Sequence, residues 1–196
     1  MKKSWIIIAI VIIVAVLLYG WVKGVYNQMV TQGENVDKHW ADVENVYQRR
    51  ADLIPNLVAT VKGYASHEKE TLEGVINARA KATQTTINAG NLTPESMAAF
   101  QQAQDGLSSA LSKLMVVVER YPDLKANQNF LELQSQLEGT ENRITVERRK
   151  FNEAARQYNT YIKLFPKNIL ANLFGFLTKP YFEAQEGAET APKVEF

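Results

Sequence analysis

The stretch SWIIIAIVIIVAVLLYGWV, residues 4–22, carries no charged side chain and lies between Lys3 and Lys23. As a helix rising about 1.5 Å per residue it covers roughly 28 Å, close to the roughly 30 Å hydrocarbon thickness of a bilayer. Trp5 at one end and Tyr19 and Trp21 at the other fall where aromatic rings favour the membrane interface, and the middle is Ile, Val, Ala and Leu. The stretch therefore predicts an N-terminal transmembrane helix, with Trp5, Tyr19 and Trp21 as membrane contacts and the lipid bilayer as a partner. A cleaved secretory signal shares the basic start and the apolar run. Against cleavage, the run is longer than the usual signal core, and neither Leu18-Tyr19-Gly20 nor Val22-Lys23-Gly24 supplies the spaced small residues of a cleavage site.

Lys2 and Lys3 precede the span, whereas Lys23 stands alone after it until Lys38. That small basic bias points the N-terminus to the cytoplasm and the remainder of the chain to the periplasm or exterior. The remainder is near neutral, since the whole chain has 22 basic and 21 acidic residues, so charge offers no case for nucleic acid. About 170 residues suffice for one core, and Pro and Gly fall between apolar-periodic segments, not within a linker. The expected organisation is an anchor over residues 1–24, a helical bundle over 25–182 and a mobile acidic tail over 183–196.

Three segments repeat apolar residues at steps of three and four, the helical period. Val36, Trp40, Val43, Tyr47, Ile54, Leu57, Val61 and Tyr64 form one seam, Met97, Phe100, Gln104, Leu107, Leu111, Leu114, Val118 and Tyr121 another. Phe130, Leu137, Ile144, Phe151, Tyr158 and Phe165 recur every seven residues in the last. Thr93-Pro94 starts a helix, Tyr121-Pro122-Asp123 stops it, Asn127 caps the next and Phe165-Pro166 ends that one. Asn88 to Asn91 reads as a loop. The first seam slips out of phase after Tyr64, which places a turn there and leaves a single long bent helix as the alternative. The fold expectation is all-α: a transmembrane helix, then an antiparallel four-helix bundle with helices near 34–62, 67–88, 94–120 and 127–164, and a short apolar C-terminal helix. Pro55 should kink the first bundle helix. The seam aromatics are read as core packing.

Charges interrupt two of the seams. Arg50 replaces an apolar residue mid-helix, and the last helix passes Glu141, Glu147 and Arg148 at its own middle. If those helices lie side by side, Arg49, Arg50 and Asp52 face Glu141, Glu147 and Arg148 as a buried structural polar layer, whose use is to fix register.

Motifs of chemistry are scarce. The two histidines are His39 and His67, cysteine is absent, and His67-Glu68 fails to complete H-E-x-x-H because Thr71 stands at the closing position. Phosphate-cradling glycine loops and the G-x-S-x-G elbow do not occur. The expectation is no enzymatic activity, no catalytic residue, no metal site and no cofactor. A hydrolase built on Glu141 and Glu147 beside Arg50 is the remote alternative. After Pro166, Ile169, Leu170, Leu173, Phe174, Phe176 and Leu177 are apolar on more than one face. This greasy helix either closes its own bundle, lies in the headgroup region between Lys167 and Lys179, or docks on another copy; Leu170, Leu173, Phe174, Phe176 and Leu177 are its expected membrane or oligomer contacts.

Six segments carry a family resemblance: YNQMV at Tyr26, RRADLIPNLVATVKGY at Arg49, HEKETL at His67, ARA at Ala78, ERYPDLKAN at Glu119 and FPKNILA at Phe165. In this order and spacing they resemble the LemA family. The resemblance implies a bacterial single-pass protein of the inner membrane with a four-helix bundle, no enzymatic activity and no cofactor. Genes near membrane metallopeptidases and small envelope proteins imply a scaffold or accessory role. It places Arg49, Arg50, Asp52, Pro55, Asn56, His67, Glu68, Arg79 and Tyr121 to Asn127 at signature positions without assigning chemistry to them. The functional expectation is a scaffold that forms a homo-oligomer and organises envelope partners or the membrane. The alternative is an adaptor for an envelope protease or a stress or signalling system.

Overall fold

A computed structural model of the chain describes residues 3–87 and 89–183. The described residues form six α-helices, a single 3-10 turn and no strand. The mobile tail expected over 183–196 lies outside them except for Glu183, and so does Asn88 of the expected 88–91 loop.

Helix α1 runs from Lys3 to Tyr64 without interruption. The expected start of the first bundle helix near residue 34 is thus replaced by continuity: residues 23–33 stay helical and join the span to the bundle. Gly24 and Gly33 each cost roughly 1 kcal/mol in a helix interior, yet propagation adds a hydrogen bond per residue once the helix exists. Val25 and Met29 are already buried in this connecting stretch. The two halves of α1 differ in surroundings. The window that makes it long and apolar enough to cross a membrane has none of its residues buried, whereas Val36, Trp40, Val43, Ile54, Leu57 and Val61 are fully enclosed.

The chain reverses after Tyr64, where the seam goes out of phase, through a turn held by Glu68 N–H donating to the Ala65 carbonyl at 3.1 Å. Helix α2, Lys69–Gln84, returns along α1 and buries Leu72, Val75 and Ala82. Thr83 and Thr85 turn their hydroxyls back on the Arg79 and Lys81 carbonyls, a local competition that weakens a helix end. The Trp40 indole N–H ties the following loop to α1 by donating to the Ile87 carbonyl at 3.3 Å. A 3-10 turn, Ala89–Asn91, leads to α3, Pro94–Val118. Its start is a reciprocal cap, with Thr93 Oγ1 accepting from Ser96 N–H at 3.1 Å and Ser96 Oγ accepting from Thr93 N–H at 3.0 Å.

One additional turn, α4, Pro122–Lys125, places Leu124 in the end of the core. Helix α5, Gln128–Lys163, is capped by Asn127 Oδ1 accepting from Phe130 N–H at 3.0 Å. It runs antiparallel to α1: Asn127 meets Tyr64, Glu141 meets Arg50, Phe151 meets Trp40, and Tyr158 lies where a side chain at Gly33 would reach. Helix α6, Lys167–Phe174, packs on α1 and α5. Gly175, at φ 75°, then reverses the chain, and Phe176 N–H closes on the Ala171 carbonyl at 2.9 Å. A residue with a Cβ is strained in that left-handed conformation.

The interior consists of two apolar clusters. The membrane-proximal one contains Val25, Met29, Trp40, Phe100, Phe151, Ile162 and Phe182. The distal one contains Ile54, Leu57, Leu107, Leu114, Leu124, Phe130 and Leu137.

Candidate functional site

Arg50 stands between the two clusters. It is 2 % exposed, which requires partners, since an unpaired buried charge costs several kcal/mol. Its Nη1 donates to Ser108 Oγ and to Glu141 Oε2, both at 2.9 Å. Its Nη2 donates to Gln104 Oε1 at 2.7 Å and to the Gln104 carbonyl at 3.3 Å. The guanidinium carbon also lies 5.1 Å from the centroid of the Tyr47 ring. Burial raises the pKa of that phenol, partly offset by the positive charges of Arg148 and Arg50, so Tyr47 stays neutral beside the cation. One donor, Arg50 Nε, is buried without a hydrogen-bond acceptor.

Of the six residues expected in this layer, the structure brings Arg50 and Glu141 together. Arg49 and Asp52 point outward, Asp52 accepting from Gln48 at 2.7 Å. On a helix, residues one and two positions from Arg50 lie on other faces. Glu147 pairs with Lys150 at 2.9 Å. Arg148 covers the Phe182 ring at 4.7 Å and donates to the Glu183 carbonyl at 3.0 Å. The members missing from the expectation are Gln104 and Ser108 on α3. Gln104 already stood out as the polar member of an apolar seam, and its Nε2 also donates to the Ala82 carbonyl at 3.3 Å, so the layer joins four helices.

A second polar tie explains how Pro55 is accommodated. Proline has no N–H, which leaves the Ala51 carbonyl, four residues earlier, without its helical donor. Arg79 of α2 supplies one: its Nε–H donates to the Ala51 carbonyl at 2.7 Å. α1 continues through Pro55. Glu68 completes a third tie at the distal end, accepting from the Tyr121 hydroxyl at 2.9 Å and from Arg120 at 3.1 Å. That hydrogen bond to the carboxylate is the main reason the Tyr121 pKa is raised.

Above the C-terminal segment, α3 and α5 leave a groove of about 330 Å³ lined by Arg50, Ser108, Leu111, Met115, Leu137 and Glu141. Among the described residues one trio offers metal-ligating atoms within 4.8 Å of one another: His39, Asp42 and Glu147. Glu147 is already neutralised by Lys150, and His39 Nδ1 stands 3.6 Å from the Asp42 carboxylate. His67 is exposed in the turn between α1 and α2.

At the membrane-proximal end, Trp5, Tyr19 and Trp21 are exposed on the apolar part of α1. The C-terminal apolar residues divide. Leu170 is buried in the bundle and Phe176 is half-buried, meeting Tyr26 edge-on at 5.5 Å. Leu173, Phe174 and Leu177 are exposed. The chain then climbs back along the bundle as a strap. Asn159 Nδ2 donates to the Lys179 carbonyl and its Oδ1 accepts from Lys179 N–H, both at 2.8 Å. Asn152 repeats the clasp on Phe182, at 3.0 and 2.8 Å. Lys179 Nζ reaches Asp37 at 2.9 Å, and Phe182 stacks against Trp40 at 6.0 Å.

Among the described residues one helix, α1, is long and apolar enough to cross a membrane, and its continuation into a bundle tied by internal polar contacts is the arrangement of an all-helical single-pass membrane protein. The sequence model of the LemA family matches residues 39–196, and the chain belongs to that family. It is 28% identical over 186 residues to Magnetosome protein MamQ 1 of Paramagnetospirillum magneticum, an alignment covering 84% of this chain and 67% of the relative. Magnetosome protein MamQ of Magnetospirillum gryphiswaldense is 29% identical over 182 residues with the same coverage. Protein LemA of Metamycoplasma hominis is 22% identical over 185 residues, covering 94% of this chain and 80% of the relative.

Proposed function

We propose that this protein is a non-enzymatic scaffold of the bacterial inner membrane, its bundle held on the periplasmic or outer side, whose copies associate and organise the membrane or envelope partners around them. The observation that carries this reading is the unbroken α1. A flexible linker would let the bundle tumble, whereas a continuous helix transmits the orientation of the span to the core. The charges that tie the helices together support it as well, because buried Arg50 and half-buried Arg79 and Glu68 all have structural partners. Such contacts are accounted for by a structural role.

Mass photometry of the full-length protein, extracted gently and reconstituted in nanodiscs of several sizes, tests self-association. Species larger than one copy, growing with protein concentration, are expected; a uniform monomer throughout removes the self-assembling scaffold. The open α3–α5 groove favours a second reading, an adaptor that seats a segment of an envelope protease or of its client. Stoichiometric co-purification with one heterologous membrane protein, lost when Ser112, which also lines the groove, is replaced in Ser112→Trp, would select the adaptor.

A further inference from the structure

The membrane-proximal end of the bundle presents apolar surface at a definite height. Tyr26 lies three residues beyond Lys23, the first charge after the span, which is about 4.5 Å of helix rise. At that level Tyr26 meets Phe174 edge-on at 5.1 Å, and α6 buries Leu170 and Ala171 in the same cluster as Val25 and Met29. The rest of this end faces away from the bundle: Leu164, Phe165, Ile169, Leu173, Phe174 and Leu177 are exposed, with Phe165 at 80 %, Leu173 at 73 % and Leu177 at 79 %. Contiguous large apolar side chains on a soluble surface mark a place that something covers. The segment that carries them is basic, with two of its four cations paired to acids outside it, Arg156 to Glu153 and Lys179 to Asp37. Between Glu153 and Glu183 the chain carries Arg156, Lys163, Lys167 and Lys179 and no Asp or Glu. Lys163 is exposed, and Lys167 lies over the Tyr161 ring at 3.8 Å.

From this placement we infer that residues 164–177 form an interfacial foot, which sinks its exposed side chains into the boundary between headgroups and acyl chains of the bilayer that α1 crosses. The lipid surface is favoured over other occupants because the patch is continuous with the span. α6 is fixed against α1 where the apolar part of that helix ends, so a bilayer crossed by residues 4–22 meets the patch without any rearrangement. Lys163 and Lys167 suit anionic headgroups, with their alkyl stems along the apolar surface. An apolar face with a basic rim is the composition of a helix that lies in the interface plane. With the span and the foot both in lipid, the bilayer holds the rod at two points and limits its tilt and its rotation about its own axis.

The inference rests on the membrane anchoring of α1 and not on self-association, and the absence of cysteine makes a clean test possible. Leu173→Cys and Leu177→Cys, both at exposed positions, are labelled with an environment-sensitive fluorophore in the full-length protein. Leu17→Cys on the span and Lys62→Cys at the distal end serve as references. Each is reconstituted in nanodiscs of phosphatidylcholine and phosphatidylglycerol, with and without lipid carrying a spin label at a shallow acyl position. Blue-shifted emission at residues 173 and 177, quenched severalfold more strongly than at residue 62, is the expected result. Quenching at residue 17 alone overturns the foot while leaving the anchor. Blue-shifted emission at 173 and 177 that lipid spin labels do not quench and that fades on dilution assigns the patch to a second copy and also overturns it. Loss of quenching at every position overturns foot and anchor together.

Discussion

Arg50 has five N–H donors, and the bundle supplies acceptors to the four on its terminal nitrogens, from α3 and α5. Its contribution and that of Glu141 should differ sharply, because the arginine is enclosed and the carboxylate is 55% exposed. Arg50→Ala removes hydrogen bonds from a charged donor, leaves Gln104 Oε1 without its donor and opens a cavity; a loss of about 3 kcal/mol is expected. Glu141→Gln keeps an acceptor where water already competes, and should cost under about 1 kcal/mol. Urea unfolding of the full chain in detergent, followed by circular dichroism, checks both numbers. Equal losses would mean that the layer works as a simple ion pair, not as an arginine held by a cage of acceptors. The sequence made Arg50 legible because it breaks an apolar seam, and Glu141 because it lies mid-helix on a facing element. Ser108 was illegible: it follows Leu107 and is indistinguishable from an exposed serine until the rotation of α3 is known.

At the scale of the element, the seven-residue seams were enough to give three of the bundle helices, and the phase slip after Tyr64 gave the turn that sets off α2. Helix interiors and caps depend on neighbours in sequence, so they can be read there. What failed to be legible depends on residues far apart. Nothing local connects Ala51 with Arg79, yet their hydrogen bond decides how a helix with a proline in its interior is accommodated. The strap was missed for the same reason: Asn152 and Asn159 recur on one face of α5, but only the reversal at Gly175 brings Phe182 and Lys179 to them. The proline tie yields a coupling prediction. Arg79→Ala should cost about 2 kcal/mol in the native chain, because it strands a partly buried carbonyl. In a Pro55→Ala background the new N–H at position 55 satisfies that carbonyl, and the same change should cost about 1 kcal/mol less. A double-mutant cycle measures the difference. Additive losses would show that Arg79 stabilises the bundle through some other contact.

For the whole molecule, α1 is a post of about 90 Å at 1.5 Å per residue over its 62 residues, and the other long helices pack on its upper two thirds. The core around that post is divided at Arg50 into a membrane-proximal and a distal cluster. The proximal one is completed from outside the helices, by Phe182 of the strap. That ring contacts Trp40, Phe100 and Phe151 and is covered by Arg148. Removing it should therefore loosen one half of the protein selectively. Phe182→Ala is expected to cost about 3 kcal/mol, at the lower end for a buried aromatic because the strap can partly collapse into the space. Native-state hydrogen exchange should show faster opening in α5 from Ile144 to Ile162 and in the first turns of α3. Ile54 to Val61 and Phe130 to Leu137 should keep their protection, since they belong to the distal cluster. A uniform rise in exchange along α1, α3 and α5 would mean that the two clusters unfold as one unit and that the arginine layer is no boundary between them. The selective outcome would make the strap a clasp on the membrane-proximal half alone, next to the segment through which the span is joined to the bundle.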